Sequence, residues 1–456
     1  METKTTERDI ELCERLIDFI EESPSMFHTV AAIRRRLEEA GFAYLPEGST
    51  WEVRPGGCYY TVRNNSSVIA WRVGAAVDAV APAGYHFQLA AAHGDSPAFK
   101  LKNMPELSGP EGYLRLDVEA YGGMIDYTWF DRPLSLAGRV LVRGEGKEAA
   151  RIESRLVSLD RDVAIIPSLA IHLDRSVNGG FAPNRAVDLC PLLSAGDLES
   201  GALLRLVADE LGVAPDRILG HDLFLVNRQK PVVWGVASEF VSSPKLDDLM
   251  CAFTALQGFL AGAPANDAAV SVYACFDNEE VGSGTKQGAM STFLRDALAR
   301  INGSLGGADE SYRRALAGSM LVSCDNAHAA HPNHVEKMDE ANRAHLNGGI
   351  VLKEAANQHY CTDAFSRAVF CGICDRAGAP YQSFANRSDM AGGSTLGNLS
   401  NVQSCMHGVD VGLPQLAMHS SYETAGARDA ASAIKALTAF YATDIRIDGA
   451  DAAVLA

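Results

Sequence analysis

Short apolar runs, each followed at once by a histidine or a carboxylate, recur along the chain. HFQLAAAHGDS reaches His93, VSVYACFDNEE reaches Glu279 and Glu280, SMLVSCDNAH reaches Asp325, and VDVGLPQLAMHS reaches His419. Their length and β-rich composition predict strands, and amphipathic stretches over 247–260, 291–301 and 430–441 predict helices between them. Alternation of this kind implies a mixed, mainly parallel α/β sheet flanked by helices. In such sheets ligands bind beyond the carboxyl ends of the strands, which is where these polar residues fall. From about 101 to 231 the pattern changes to turn-rich alternating segments (YLRLDVEAYGG, LSLAGRVLVRGEG, RIESRLVSL, DVAIIPSLAIHL) and one helix, LLRLVADELG. They predict short antiparallel strands in a β-rich domain, 101–231, inserted into an α/β domain made of 1–100 and 232–456.

Composition narrows the function classes. The 456 residues carry 40 Lys plus Arg against 57 Asp plus Glu, so the net charge is 40 − 57 = −17 at pH 7. A body this acidic, with no Lys/Arg-rich block, repels phosphate backbones and anionic lipid, so neither nucleic acid nor a membrane surface is an expected partner. No run of about 18 apolar residues is present to span a bilayer. The start, METKTTERDIELCERLIDFIEES, lacks the apolar stretch of a secretory signal. Ten scattered cysteines are too few for a disulfide scaffold, and reduced thiols in a cytoplasm are the simpler expectation. Cys371 and Cys374 have CxxC spacing, but they lie in a helical pattern with no second pair to complete a zinc site, and they read as structural thiols.

The strand-end residues carry the chemistry. In AAHGDSP, Asp95 stands two residues after His93 and can hold the second imidazole nitrogen, as metal-ligating histidines commonly require. In CFDNEEVGS, adjacent Glu279 and Glu280 point in different directions, so one can ligate a metal while the other handles a water's proton. Burying such a pair without a cation costs several kcal/mol, about 2–7 for even a neutral polar group. Asp247, in SSPKLDDLM at a helix start, and Asp325, in SCDNAH, extend the set along one sheet edge. Mixed carboxylate and imidazole ligands without cysteine favour zinc, manganese or cobalt. A carboxylate bridging two ions about 3.5–4 Å apart makes a two-metal hydrolase site, and the remaining Glu serves as general base and then proton donor.

With these residues in place, the chain resembles the aspartyl aminopeptidase family of dizinc exopeptidases. The resemblance rests on SPSMFHTV, AAHGDSPAFKLK, YGGMIDYTWFDRPLSLAGRV, IPSLAIHLDR, KLDDL, DNEEVGS, DNAHAAHPN and LPQLAMHS, and runs over nearly the whole chain. It implies a zinc-exopeptidase-like fold and a metalloaminopeptidase removing single N-terminal residues from peptides. It also implies two divalent ions per subunit, zinc first: His93 and Asp325 on one, Glu280 and His419 on the other, Asp247 bridging. Glu279 is then the base and Asp95 the residue that orients His93. Asp248 is the lesser choice of bridge, because the motif places the ligand directly after Leu246. The same resemblance makes 101–231 a dimerisation and lid domain, the assembly a tetrahedral homododecamer, and His172 a residue donated into a neighbour's site. Ser168 stands where some relatives carry a histidine.

Substrate choice is less constrained. Lys353, in GIVLKEAANQHY, matches a family lysine that can contact an acidic first side chain, with Tyr360 close behind; the residue-level alternative is a surface strand end. An acidic N-terminal residue is therefore the first expectation, with a neutral or hydrophobic preference or N-acyl amino acid amidohydrolysis as alternatives. EVGSGTKQG fits neither phosphate-loop template, and two glutamates directly upstream repel a pyrophosphate. A catalytically inactive nucleotide-binding or assembly protein is accordingly the weaker alternative from another class. The small-residue loop NRSDMAGGSTLGN, around Asp389, reads equally as a tight turn or as a segment approaching a substrate backbone.

Overall fold

The computed structural model describes residues 4–81, 84–262 and 267–456. Its largest sheet orders strands Ala43–Tyr44, Cys58–Arg63, Ser67–Val73, Ala269–Phe276, His86–His93, Met320–Cys324, His407–Gly412, Ile350–Glu354 and Tyr381–Ala385. The middle four, Ala269–Phe276 to His407–Gly412, run parallel. Antiparallel pairing on either side of them makes the sheet mixed. All eight residues of AVSVYACF in Ala269–Phe276 are buried, as a strand covered on both faces requires. Helices Leu246–Ala261, Asp429–Ala442, Ala364–Ala377, Glu7–Glu21 and Met26–Glu39 pack a core against one face, through Phe253, Leu437, Phe370, Phe19 and Ile33. Helices Phe293–Ser304 and Asp309–Ala317 cover the other, with Phe293, Leu298 and Ala315 against Leu89, Val272 and Leu321.

A second sheet of seven strands begins with Ala98–Ser108 and ends with Ile218–Asn227; its strands pair antiparallel and only with one another among the described residues. Ile218–Asn227 pairs with both Ala98–Ser108 and Pro133–Arg143, curling the sheet around its own core of Phe99, Leu116, Trp129, Leu136 and Leu223. Helix Ala202–Leu211 closes that core with Leu203 and Val207. One expected strand is cut short. Of DVAIIPSLAIHL only Ala164–Ile165 is extended in the sheet, and His172 lies in an exposed turn rather than a strand. Pro167 removes a ladder donor just there, and Leu169, Ile171 and Leu173 are exposed rather than packed.

A third sheet was not foreseen from the pattern. Strands Val232–Trp234, Phe240–Ser243, Glu423–Gly426, Pro414–Leu416 and Ala327–His328 form it, none longer than four residues, too short for periodicity to register. It matters because it flanks the loops that carry Asp247, Asp325 and His419.

Candidate metal centre

The parallel strands deliver their polar ends to one place. His93 closes its strand opposite Phe276, so the turn after Phe276 brings Glu279 and Glu280 beside it. Asp325 follows strand Met320–Cys324, one strand further along. The neighbouring chain must come very close here: a Cβ on Gly412 would lie 1.9 Å from the Asp325 carbonyl oxygen, so only glycine fits. Asp247 enters from the third sheet at the start of helix Leu246–Ala261, and His419 sits in the turn between Pro414–Leu416 and Glu423–Gly426.

His93 Nε2 lies 3.6 Å from Asp247 Oδ1 and 4.0 Å from Glu279 Oε2, whereas His419 Nε2 lies 3.5 Å from Asp247 Oδ2 and 3.3 Å from Glu280 Oε2. The two oxygens of Asp247 thus face different histidines, as a bridging carboxylate requires. Three groups have ligand atoms close enough for one ion: His93, Asp247, Asp248 and Asp325; His93, Glu279 and Glu280; and Asp247, Glu280 and His419. Asp247 Oδ1, Asp248 Oδ1 and Glu280 Oε1 are buried with no hydrogen-bond donor. Orphaned carboxylate oxygens converging with imidazole nitrogens are the donor set a divalent cation fits.

A surrounding layer fixes these groups, and much of it escapes a reading of single motifs. Asp95 approaches His93 Nδ1 at 3.3 Å and accepts the backbone N–H of Glu279 and of Glu280 at 3.2 Å each, so it aligns the Glu pair as well as the imidazole. The Tyr121 hydroxyl donates to Asp95 Oδ2 at 2.7 Å. Gly123 O accepts from His419 Nδ1 at 2.5 Å, leaving Nε2 as the free nitrogen facing Asp247 and Glu280. Both residues belong to the YGG stretch ahead of the seven-stranded sheet's long hairpin, so that sheet helps build the site. Glu423, buried, accepts the backbone N–H of Asp247 at 3.0 Å and of His419 at 2.7 Å, tying two site residues to one carboxylate. Asp248 accepts the backbone N–H of His93 at 3.2 Å. The alternation of Glu423 in SSYETAG holds no hint of this role, which depends on a turn returning the chain under Asp247.

Electrostatically the cluster is strained in the absence of a cation. Burial, reinforced by the charges of Asp325, Asp95 and Asp247 and opposed by His93, pushes the Glu279 carboxyl up to about 8. Burial and Asp247 likewise hold Glu280 well above the usual carboxylate range, and burial raises Asp248 and Asp325. Burial disfavours charge on His93, but Asp248, Asp247 and Asp95 outweigh it and hold the imidazole well above its ordinary value. With protein groups alone, the cluster therefore retains protons that a divalent cation would displace.

A cavity of about 150 Å³ opens over the cluster, lined by His93, Asp247, Glu279, Glu280, Asp325, Lys353, Tyr360 and His419. Lys353 is not a surface strand end: it is 2% exposed, donates from Nζ to the Asp325 and Asn326 carbonyls at 2.7 and 3.3 Å, and stands 5.1 Å from the Tyr360 ring centre. Burial lowers its proton affinity, but Asp325 and Tyr360 more than restore it, so Lys353 stays a cation. Gly393, Ser394 and Thr395 of the small-residue loop also line the cavity; Asp389 is exposed and pairs with Arg387 at 2.9 Å. His172 is exposed and does not line this chain's cavity. Cys374 is buried and Cys371 half-buried in helix Ala364–Ala377, outside every metal-competent group among the described residues.

Known proteins resemble this chain over most of its length. The family model described as "Aminopeptidase I zinc metalloprotease (M18)" matches residues 19–441. A probable M18 family aminopeptidase 2 of Clostridium acetobutylicum is 44% identical, the match covering 95% of this chain and 99% of that protein. One of Pseudomonas aeruginosa is 41% identical, over 95% and 98%. Among solved structures, Ape4 in its complex with Nbr1 superposes with a TM-score of 0.91 at 36% identity, covering 95% of this chain and 86% of that one. The S. cerevisiae mApe1 dodecamer superposes at 0.82 and 27% identity, covering 94% and 96%. With the family model spanning most of its length, this chain belongs to the M18 family of zinc metalloaminopeptidases.

Proposed function

We propose that the centre holds two divalent ions, zinc first, and that the protein removes single N-terminal residues from peptides, with an acidic first residue preferred. The observation that carries the reading is the pair of Asp247 oxygens, each directed at a different histidine with its own carboxylates. His93 and Asp325 would hold one ion, Glu280 and His419 the other, and Asp247 would bridge; Asp248 supports His93 from its backbone and is the alternative ligand. When bound, such ions polarise the scissile carbonyl and lower the pKa of the attacking water. Glu279, the least engaged of the cluster's carboxylates, takes the proton of that water and returns it to the leaving amine. Asp95 holds the backbone of both glutamates and the imidazole of His93, so its part is orientation. Glu279 joins a raised proton affinity to an oxygen 4.0 Å from His93 Nε2.

Lys353 supports the acidic preference because it stays charged in the cavity wall beside Tyr360. Two of its three N–H groups are already given to carbonyls, which favours a second reading: a neutral first residue packed against Tyr360, Phe384 and Met418. His172 is taken as a contribution to a neighbouring subunit, and residues 101–231 as the dimerisation and lid domain of a tetrahedral homododecamer in the cytoplasm. The likeness to a dodecameric mApe1 and the exposed apolar side chains of Leu169, Ile171 and Leu173 around His172 support that reading. The deciding experiment is a panel of aminoacyl chromogenic substrates and N-acyl amino acids assayed with zinc, manganese and cobalt, alongside elemental analysis. About two ions per chain with release from free amino termini is expected; one ion, or release only from N-acyl substrates, overturns the proposal.

A further inference from the structure

Asp410 lies in strand His407–Gly412, third from one edge of the largest sheet, fully buried, with no basic group within 4.0 Å of it among the described residues. Its carboxylate is nevertheless satisfied. Oδ1 accepts from the Thr395 hydroxyl at 2.6 Å, and Oδ2 accepts from the Cys361 backbone N–H at 2.5 Å. Its own N–H donates to Thr362 Oγ1 at 2.8 Å. Lys353 is the neighbouring cation but makes no ion pair with Asp410 within 4.0 Å, and a buried carboxylate without a direct ion pair is costly unless its hydrogen bonds are strong and complete.

The two partners belong to two different walls of the cavity. Cys361 directly follows Tyr360, and Thr395 ends the small-residue loop through Gly393 and Ser394; Tyr360, Gly393, Ser394 and Thr395 all line the cavity. Between them stands Lys353, which faces Asp410 across the antiparallel strand pair. A hydrogen bond from the Thr395 N–H to the His359 carbonyl at 3.4 Å also joins the two walls. Residues 387–391 upstream are exposed, so Thr395 is the first buried anchor the loop meets on its way back to the sheet. The local sequence accommodates the approach: a Cβ on Gly397 would come within 2.7 Å of Ser323 Cβ and 2.9 Å of Asp410 Oδ1, so glycine lets helix Leu396–Gln403 start against the sheet.

We infer that Asp410 is a positioning residue for substrate selection: through Thr395 and Cys361 it clamps the Gly393–Thr395 loop and the Tyr360 loop as opposing walls around Lys353, and so sets which first side chain the cavity accepts. This rests on the proposed aminopeptidase reading of the cavity. It needs no contact between Asp410 and the substrate. A displaced wall alters the fit of the first residue before it alters the ion-binding cluster, whose ligands hang on other strands and turns.

Thr395→Val removes one arm of the clamp at nearly constant volume, and Thr395→Ser keeps the hydroxyl. Full-length wild type and both variants are compared for ion content, thermal midpoint, and kcat and KM on aminoacyl substrates with acidic, neutral and hydrophobic first residues. The expected result is that Thr395→Val keeps its ions, raises KM about tenfold on the preferred substrate, and compresses the ratio of kcat/KM between preferred and poor first residues, while Thr395→Ser stays near wild type. Asp410→Asn, which turns an amide donor toward a backbone N–H or hydroxyl, should give a larger shift of the same kind. Unchanged discrimination in Thr395→Val, or loss in Thr395→Ser as great as in Thr395→Val, overturns the clamp. If wild type itself shows no ion-dependent release of N-terminal residues, the aminopeptidase reading fails first, which is a distinguishable outcome.

Discussion

The ends of the parallel strands and the His172 loop of the seven-stranded sheet pose opposite physical problems. At the strand ends, five acidic residues and two histidines are packed into a mostly buried cluster where charge is out of place. In the 166–191 stretch, Leu169, Ile171, Leu173 and Phe181 stand in solvent where apolar surface is out of place. Each anomaly points to something the single chain lacks. Buried like charges point to cations, and exposed apolar side chains around one histidine point to another protein surface. On the proposed reading, the contrast teaches that the cavity over the cluster and the His172 loop would be completed by different agents, an ion in one case and a neighbouring subunit in the other.

The largest effect that would break this division is at Glu279. Glu279→Gln should retain the ions and fold yet lose activity by about 10²–10⁴, as removal of a general base does; near-normal turnover would move the base elsewhere. Stripping the ions comes next. Chelation should abolish activity and lower the thermal midpoint, because Asp247, Glu280 and Asp325 are left buried together, and the loss should be larger at pH 8 than at pH 6. The sign follows from the raised carboxyls: protons partly replace the cation at lower pH, and they leave as pH rises. A pH-independent chelator effect would show that the cluster is not held by displaced protons.

On the other side of the comparison, His172→Phe should leave the ion content intact and reduce activity, and mixing it with Glu279→Gln chains in one oligomer should restore part of it. No recovery in genuinely mixed oligomers would count against a shared site. The smallest effect serves as a control within the same lobe. Asp429 is buried, and burial raises its carboxyl to about 7 against the opposing N–H groups of Gly349 and Asn347. No second carboxylate clusters with it among the described metal-competent groups. A folded-state value above the unfolded one means stability is lost as pH rises from about 4 to 7. Asp429→Asn should therefore flatten that decline in denaturant titrations without altering chelator sensitivity; a change in chelator sensitivity would merge what the comparison separates.

Much of the centre was legible from residue order alone. His93, Glu279, Glu280 and Asp325 each follow an apolar run, and a parallel sheet brings such ends to one edge whatever the details of packing. Antiparallel strands such as Leu114–Tyr121 and Pro133–Arg143 were likewise legible from their period, whereas most of DVAIIPSLAIHL was not a strand. Three things were not legible, each for a physical reason. The third sheet has strands too short to show a period, yet it flanks the loops carrying Asp247, Asp325 and His419. Glu423, Tyr121 and Gly123 act through contacts with Asp247, Asp95 and His419, which lie 176, 26 and 296 residues away, separations that no local motif encodes. The resemblance placed Lys353 toward the substrate, but its residue pattern alone also allowed a surface strand end; its burial depends on the chain after Asp325 folding back over its Nζ.

The sequence by itself therefore determined the class of fold, the family and the identity of the charged residues at the strand ends, because hydrophobic period and motif order are local properties. The tertiary structure decided which oxygen of Asp247 faces which histidine, which buried carboxylates serve as supports rather than ligands, and which loops wall the cavity. Those are questions of direction and distance at the scale of a hydrogen bond, and only the packed chain answers them.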